Sequence, residues 1–147
     1  MFSPDEKQIT NYEGIKYPAF VFLFLCLVAL DQVSKFFAKN VFHNSAFAFS
    51  LPLPLWLIYI IYAVVLGVML VYCQKNFQKF SKQQSLAWVV IFSGAASNVS
   101  ERIILGYVRD WIYIGNGVFN LADLCIIAGI LILLLNPKSE YQNTKNI

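Results

Sequence analysis

Whether SLAWVVIFSGAASNVSERII, residues 85–104, crosses a lipid bilayer decides how many times this chain does so. A helix of that length, at ~1.5 Å of rise per residue, matches a hydrocarbon core of ~30 Å. Only 85–97 is cleanly apolar, and the second half carries Asn98, Ser100, Glu101 and Arg102. Asn98, Glu101 and Arg102 are spaced i, i+3, i+4, with Gly94 one turn earlier, so they form one stripe that faces the interior of a bundle. Ser93, Gly94, Ala95, Ala96 and Ser97 are small, which permits another helix to approach closely. The segment is expected to be the third of four spans.

Three further apolar windows lie at 18–38, 53–73 and 119–135, the last near the lower length limit for a spanning helix. With 59% hydrophobic and 13% charged residues in 147, the chain has too little polar surface to cover a soluble domain. The expected fold is an all-α integral membrane protein forming a single membrane-embedded domain over 1–147. It has four transmembrane helices (18–38, 53–73, 85–104 and 119–135), a small extracytoplasmic β element between helices 1 and 2, and a short loop or hairpin between helices 3 and 4. The tails 1–15 and 137–147 are polar and expected to be poorly ordered, and Pro137 marks the end of the last helix. PAFVFLFLCLVAL (18–30) is read as a retained helix, because its flank lacks a basic n-region and no small-x-small cleavage site follows.

Four spans put both termini and the 74–84 linker QKNFQKFSKQQ on one side. That side then holds Lys7, Lys16, Lys75, Lys79, Lys82, Lys138 and Lys145, against Lys35, Lys39, Arg102 and Arg109 on the other. The positive-inside rule makes the termini and the linker cytoplasmic. The net charge of +3 reflects lysines near anionic membrane lipid, and no nucleic-acid partner is implied. Cys26, Cys73 and Cys125 form no CxxC or Cys/His cluster and read as buried free thiols. With His43 the only histidine, neither a metal site nor a Ser-His-Asp triad is expected.

On this topology Asp31, Asn98, Glu101, Arg102, Asn120 and Asp123 all converge on the outer leaflet, where ionisable groups read as functional. Asp31, Ser34 and Lys35 are an i, i+3, i+4 group, with the acid four residues before the base. The segment 111–119, WIYIGNGVF, carries a hairpin signal at Asn116–Gly117. A turn centred there pairs residue i with 233 − i, which brings Asp110 towards Asp123. Asn120 is a good N-cap, placing Asp123 at the third helical position beside free backbone N–H groups, an environment that favours its ionised form. Two carboxylates a few ångströms apart share a proton. Such a pair is suited to aspartic proteolysis: the ionised member takes a proton from attacking water, and the protonated member polarises the amide carbonyl.

DQVSK (31–35), NSAFAFS (44–50), SGAASNVSER (93–102), GYVRDW (106–111) and FNLADLCIIAG (119–129), in that order, resemble the lipoprotein signal peptidase (signal peptidase II) family. The resemblance covers about 17–136. It implies an intramembrane aspartic endopeptidase of the bacterial cytoplasmic membrane, acting near the extracytoplasmic face. The enzyme would remove signal peptides from prolipoproteins on the N-terminal side of a diacylglyceryl-modified cysteine, with no cofactor and no metal. The family's catalytic aspartates map onto Asp110 and Asp123, and its substrate-site residues onto Asn44, Asn98, Arg102 and Asn120. Asp31, Lys35 and Glu101 map as site-supporting residues, and a monomer is expected. Ala46 and Ser97 stand where the family usually has Gly, and Glu101 where it usually has Asp, so the reach of Glu101 to Arg102 or to a backbone group must differ.

Phe47, Phe49 and Leu51 alternate with Ala46, Ala48 and Ser50, a period-two pattern that reads as a strand. Residues 40–57 are expected to form a mobile lid whose Phe residues or Trp56 meet acyl chains. Tyr17, Trp56, Tyr72, Trp88, Tyr107, Trp111 and Tyr113 suit interfacial anchoring. A small proton-coupled transporter, a four-span scaffold and a catalytically inactive homologue are the competing readings. The absence of internal repeats weighs against the transporter.

Overall fold

A computed structural model describes residues 17–45, 53–76 and 79–137. The tail lysines Lys7, Lys16, Lys138 and Lys145, the period-two segment and Ala46 lie outside the described residues. The chain is mostly helical, running α1 (Tyr17–Phe37), β1 (Phe42–Asn44), α2 (Leu55–Asn76), α3 (Lys82–Leu105), β2 (Val108–Asp110), β3 (Ile112–Ile114), β4 (Gly117–Phe119) and α4 (Leu121–Leu135). Among the described residues, two helices, over Pro18–Phe37 and Trp56–Asn76, are long and apolar enough to cross a membrane. The final helix starts at Leu121 rather than 119, because Asn120 is extended (φ −133°, ψ 177°) and caps it.

Burial runs inside out. Asp31, Lys35, Ser93, Ser97, Asn98, Glu101, Arg102, Asp110 and Asn120 are buried, whereas Phe22, Phe36, Ile104 and Leu135 are each at least 70% exposed. Apolar side chains turned outward around a polar interior make a bundle suited to a hydrocarbon solvent. Cys26, Cys73 and Cys125 are free, but none is buried: Cys26 is exposed and Cys73 and Cys125 are partly exposed, as apolar positions of this bundle turn outward.

α3 is the central element. It starts with a reciprocal capping box between Ser81 and Gln84, and Gly106, at φ 81°, ends it by donating its N–H to Arg102 O at 3.0 Å. It packs along α4 and against α1. The small-residue face expected for this helix has a specific use at Gly94, where an added Cβ would collide with the carbonyl oxygen of Ala122. Across the same seam, a Cβ on Gly129 would press on Ile91 and on Ala87 O at 2.8 Å. α2 is less engaged, burying Ile58 and donating the Tyr59 hydroxyl to Arg102 O at 2.7 Å.

Two small antiparallel sheets close the end of the bundle that holds the acids. β3 and β4 form the hairpin, in the register Ile112↔Phe119, Tyr113↔Val118 and Ile114↔Gly117. Paired residues therefore sum to 231, not 233, and the turn is Gly115–Asn116 with Gly115 at φ 56°. The positive φ falls on the first glycine of Gly-Asn-Gly, which moves the pairing by two and removes the register as a reason for Asp110 to approach Asp123. The second sheet joins distant loops: β1 pairs β2 through Phe42↔Asp110, His43↔Arg109 and Asn44↔Val108. Among the described residues, the strand between α1 and α2 is Phe42–Asn44; the alternating 46–51 segment lies outside them.

Candidate active site

Asp110 ends β2 and is 1% exposed, with both carboxylate oxygens engaged. Asn120 Nδ2 donates to its Oδ1 at 2.6 Å, and Asn44 Nδ2, from β1, donates to its Oδ2 at 2.9 Å. Burial pushes the Asp110 carboxyl above its usual range; the two amides pull it back, and the nearby Asp123 charge adds to the rise.

Asp123 is held by the cap of α4. Its backbone N–H donates to Asn120 Oδ1 at 2.9 Å, and its Oδ2 accepts the Asn120 N–H at 3.1 Å, which completes a capping box built on N-x-x-D. Asn98 Nδ2 donates to Asp123 Oδ1 at 2.8 Å. The Asn120 side chain therefore serves both acids, donating to one and accepting from the backbone of the other. Its orientation is fixed by a further bond from Nδ2 to Asn98 Oδ1 at 3.0 Å. This amide, not the hairpin register, brings the two aspartates together.

A layer of charge lies behind these amides. Lys35 Nζ, from α1, meets Asp31 Oδ2 at 2.7 Å and Glu101 Oε2 at 3.0 Å, and donates to Asn98 Oδ1 at 3.0 Å. Ser97 Oγ donates to Asp31 Oδ2 at 2.6 Å, and Asp31 Oδ1 accepts the Ala122 N–H at 2.9 Å, tying α1 to the first turn of α4. The sequence expectation of an Asp31–Lys35 ion pair matches the geometry, with Glu101 as a second anion. Glu101 reaches a backbone N–H, that of Arg109, at 3.1 Å, together with Arg109 Nε at 2.6 Å. A buried ammonium between two carboxylates costs several kcal/mol of lost hydration per ion, offset only where every donor and acceptor is used. Here the Lys35 ammonium faces three acceptors, Asp31 Oδ2, Glu101 Oε2 and Asn98 Oδ1.

In front of the aspartates lies a cavity of about 880 Å³ whose wall includes Asn44, Asn98, Arg102, Asp110, Asn120 and Asp123, with Tyr62, Val99, Phe119 and Ile126 supplying apolar surface. Arg102 lies over the Tyr62 ring, 5.5 Å from its centroid. Asp31, Lys35 and Glu101 are not on that wall. Gln32, Tyr62, Arg109 and the Ala122 N–H were not singled out as site groups from the sequence. Of these, Gln32 alone had a signal, an amide flanking Asp31 in an otherwise apolar helix.

Fold and site together define a helical membrane-type protein with two aspartates sharing an amide at the wall of a mostly apolar cavity. The family model for signal peptidase (SPase) II matches residues 23–137, and the chain belongs to that family. Among curated relatives, the lipoprotein signal peptidase of Fusobacterium nucleatum subsp. nucleatum is 30% identical, over 79% of this chain and 84% of its own. That of Streptococcus thermophilus is 34% identical over 74% and 75%, and that of Dehalococcoides mccartyi 36% over 69% and 67%. A bacterial membrane enzyme solved by the in meso method shares the fold, with a TM-score of 0.72 at 20% identity, covering 90% of this chain and 94% of that one.

Proposed function

We propose that this chain is a lipoprotein signal peptidase of the bacterial membrane. It removes the signal peptide from prolipoproteins on the N-terminal side of a diacylglyceryl-modified cysteine, using Asp110 and Asp123 as an aspartic dyad. The observation that carries the catalytic reading is the Asn120 side chain, bonded to Asp110 at 2.6 Å and to the Asp123 N–H at 2.9 Å beside the cavity.

With one proton between the two acids, the ionised carboxylate takes a proton from water as its oxygen attacks the scissile carbonyl carbon. The protonated carboxyl donates to the carbonyl oxygen. On collapse of the tetrahedral intermediate, the proton taken from water passes to the departing amine as the C–N bond breaks. The diol hydroxyl returns its proton to the carboxylate that had donated it as the carbonyl re-forms, and the pair is left with one proton. Asn44, Asn98 and Asn120 hold the carboxylates in place. Arg102, on the cavity wall, is suited to orient a substrate carbonyl, and the apolar wall fits an acyl chain or signal helix.

In this reading all four helices span the membrane within a single domain, the termini and the 74–84 linker are cytoplasmic, and the acids lie near the extracytoplasmic face. α3 then crosses with its charged stripe turned inward, which fits the burial of Asn98, Glu101 and Arg102 beside exposed Ile103 and Ile104. The enzyme acts as a monomer, with membrane lipids around it.

The test is a gel-shift assay on a purified diacylglyceryl-modified prolipoprotein, comparing the protein with its Asp110→Asn and Asp123→Asn variants. Cleavage by the parent alone is expected. Folded variants that still cleave would overturn the dyad, and an inactive parent would favour a catalytically silent homologue.

A further inference from the structure

We propose that Glu101 and Arg109 form a clamp, matched in length, that positions Asp110, and that the rate of cleavage depends on it. The inference rests on the reading of Asp110 as a catalytic carboxylate. Glu101 is 3% exposed and projects from the last turns of α3. Its Oε1 accepts Arg109 Nε at 2.6 Å, while its Oε2 accepts both the Arg109 backbone N–H at 3.1 Å and Lys35 Nζ at 3.0 Å. Arg109 Nη2 goes on to Gln32 Oε1 at 3.1 Å, and Gln32 Nε2 donates to Ser97 Oγ at 2.8 Å. The residue immediately before Asp110 is thus held by its main chain and its side chain at once, from α3 and from α1.

Successive side chains of a strand point to opposite faces. Arg109 therefore turns away from the face that Asp110 presents, and it is absent from the cavity wall on which Asp110 lies. It does not meet substrate there. Its effect reaches the chemistry through the peptide it shares with Asp110, so it is a positioning residue. Without this pair, the hydrogen bonds left holding β2 among the described residues are the three-residue ladder to β1 and the amides on Asp110, beside the packing of buried Val108.

Length is the second part. The Glu101 carboxylate serves partners in two directions, Lys35 on α1 and Arg109 on β2. An aspartate there retracts the carboxylate by one methylene, about 1.5 Å, the length of a C–C bond. Bonds of 2.6, 3.0 and 3.1 Å to separate elements cannot all survive that retraction unless β2 moves. Glu101→Asp, a change that keeps the charge, is therefore damaging in this chain.

The experiment measures kcat and KM on the diacylglyceryl-modified prolipoprotein in detergent micelles, together with thermal midpoints. It compares the parent with Asp110→Asn, Arg109→Gln, Arg109→Lys, Glu101→Asp and the Glu101→Asp/Arg109→Gln double variant. A displaced carboxylate lowers kcat about 10- to 100-fold in Arg109→Gln and Glu101→Asp, with KM changed less than about 2-fold. Arg109→Lys, which keeps one donor to Glu101, recovers part of the loss. The double variant is no worse than the worse single, since both break one device. Folded Arg109→Gln with kcat within about 2-fold of the parent, a loss confined to KM, or losses that multiply in the double variant would each overturn the clamp. If Glu101→Asp fails to fold, Arg109→Gln decides, because the Arg109 side chain is 24% exposed and its removal leaves the Lys35 pairs in place. An active Asp110→Asn overturns the catalytic reading and the clamp with it; an inactive Asp110→Asn beside a normal Arg109→Gln overturns the clamp alone.

Discussion

Replacing Asn120 separates two duties that one side chain performs. Asn120 is fully buried; its Oδ1 caps α4 through the Asp123 N–H at 2.9 Å, and its Nδ2 serves Asp110 at 2.6 Å and Asn98 at 3.0 Å. Asn120→Ala removes both duties. Loss of an N-cap costs about 0.5–2 kcal/mol, and loss of a hydrogen bond to a charged group about 1.5–3 kcal/mol. Because the two share one side chain the costs do not simply add, and a loss of about 2–4 kcal/mol is expected. Asn120→Asp, by contrast, keeps an equally good cap but replaces the donor facing Asp110 with an acceptor carrying like charge. Because that like charge is fully buried, the variant's thermal midpoint in detergent should also lie below the parent's, and its cleavage rate should be the lower of the two variants. The assay pairs a thermal melt with the prolipoprotein gel shift on the same preparations. If Asn120→Asp cleaves at the parent's rate, or Asn120→Ala melts at the parent's temperature, the dual role of this amide is refuted.

Three other outcomes follow from the geometry. Gly94→Ala drives a methyl into the Ala122 carbonyl, so α3 and α4 must separate; a destabilisation of about 1–3 kcal/mol, read as a lowered detergent melting temperature, is expected, and an unchanged melt would contradict the contact. Lys35→Met leaves Asp31 and Glu101 buried without their shared cation, at a cost of about 3–5 kcal/mol; normal yield and melting temperature would argue against the buried triad. The pH profile tests Asp110. Its carboxyl is raised by burial, so its contribution to stability is full at pH below the unfolded value and is lost as pH rises through the folded one. The protonated member of the pair is likewise kept to higher pH. Asn44→Ala removes an amide that lowers this pKa, so the alkaline limb of kcat should move upward. A downward move would refute that assignment.

How much of this was legible beforehand depends on how far apart in the chain the partners lie. The Asn120–Asp123 cap is written within four residues, and N-x-x-D ahead of an apolar run reads directly as a helix start. The inward stripe of Asn98, Glu101 and Arg102 follows from helical spacing alone. The hairpin was legible as an element but not in register, because Gly115 and Gly117 flank Asn116 and either glycine can take the positive φ that the turn requires. Pairing of β1 with β2 joins segments from separate loops and leaves no local trace. The reach of Glu101 to Arg109 depends on the left-handed turn at Gly106 folding β2 back on α3. Ala46 and the alternating segment after it lie outside the described residues.

The buried charges also bear on how the molecule is made. Asp31 and Lys35 sit one turn apart at 2.7 Å, so α1 can neutralise its own ions while it waits in the bilayer. α3 has no such provision for Glu101, whose cations stand on α1 and on Arg109 beyond the helix end. In the four-span topology proposed above, with the chain threaded into lipid from its N-terminus, α3 would be a passenger whose entry is completed by docking on a helix already there, so that insertion and assembly would be a single event for this helix.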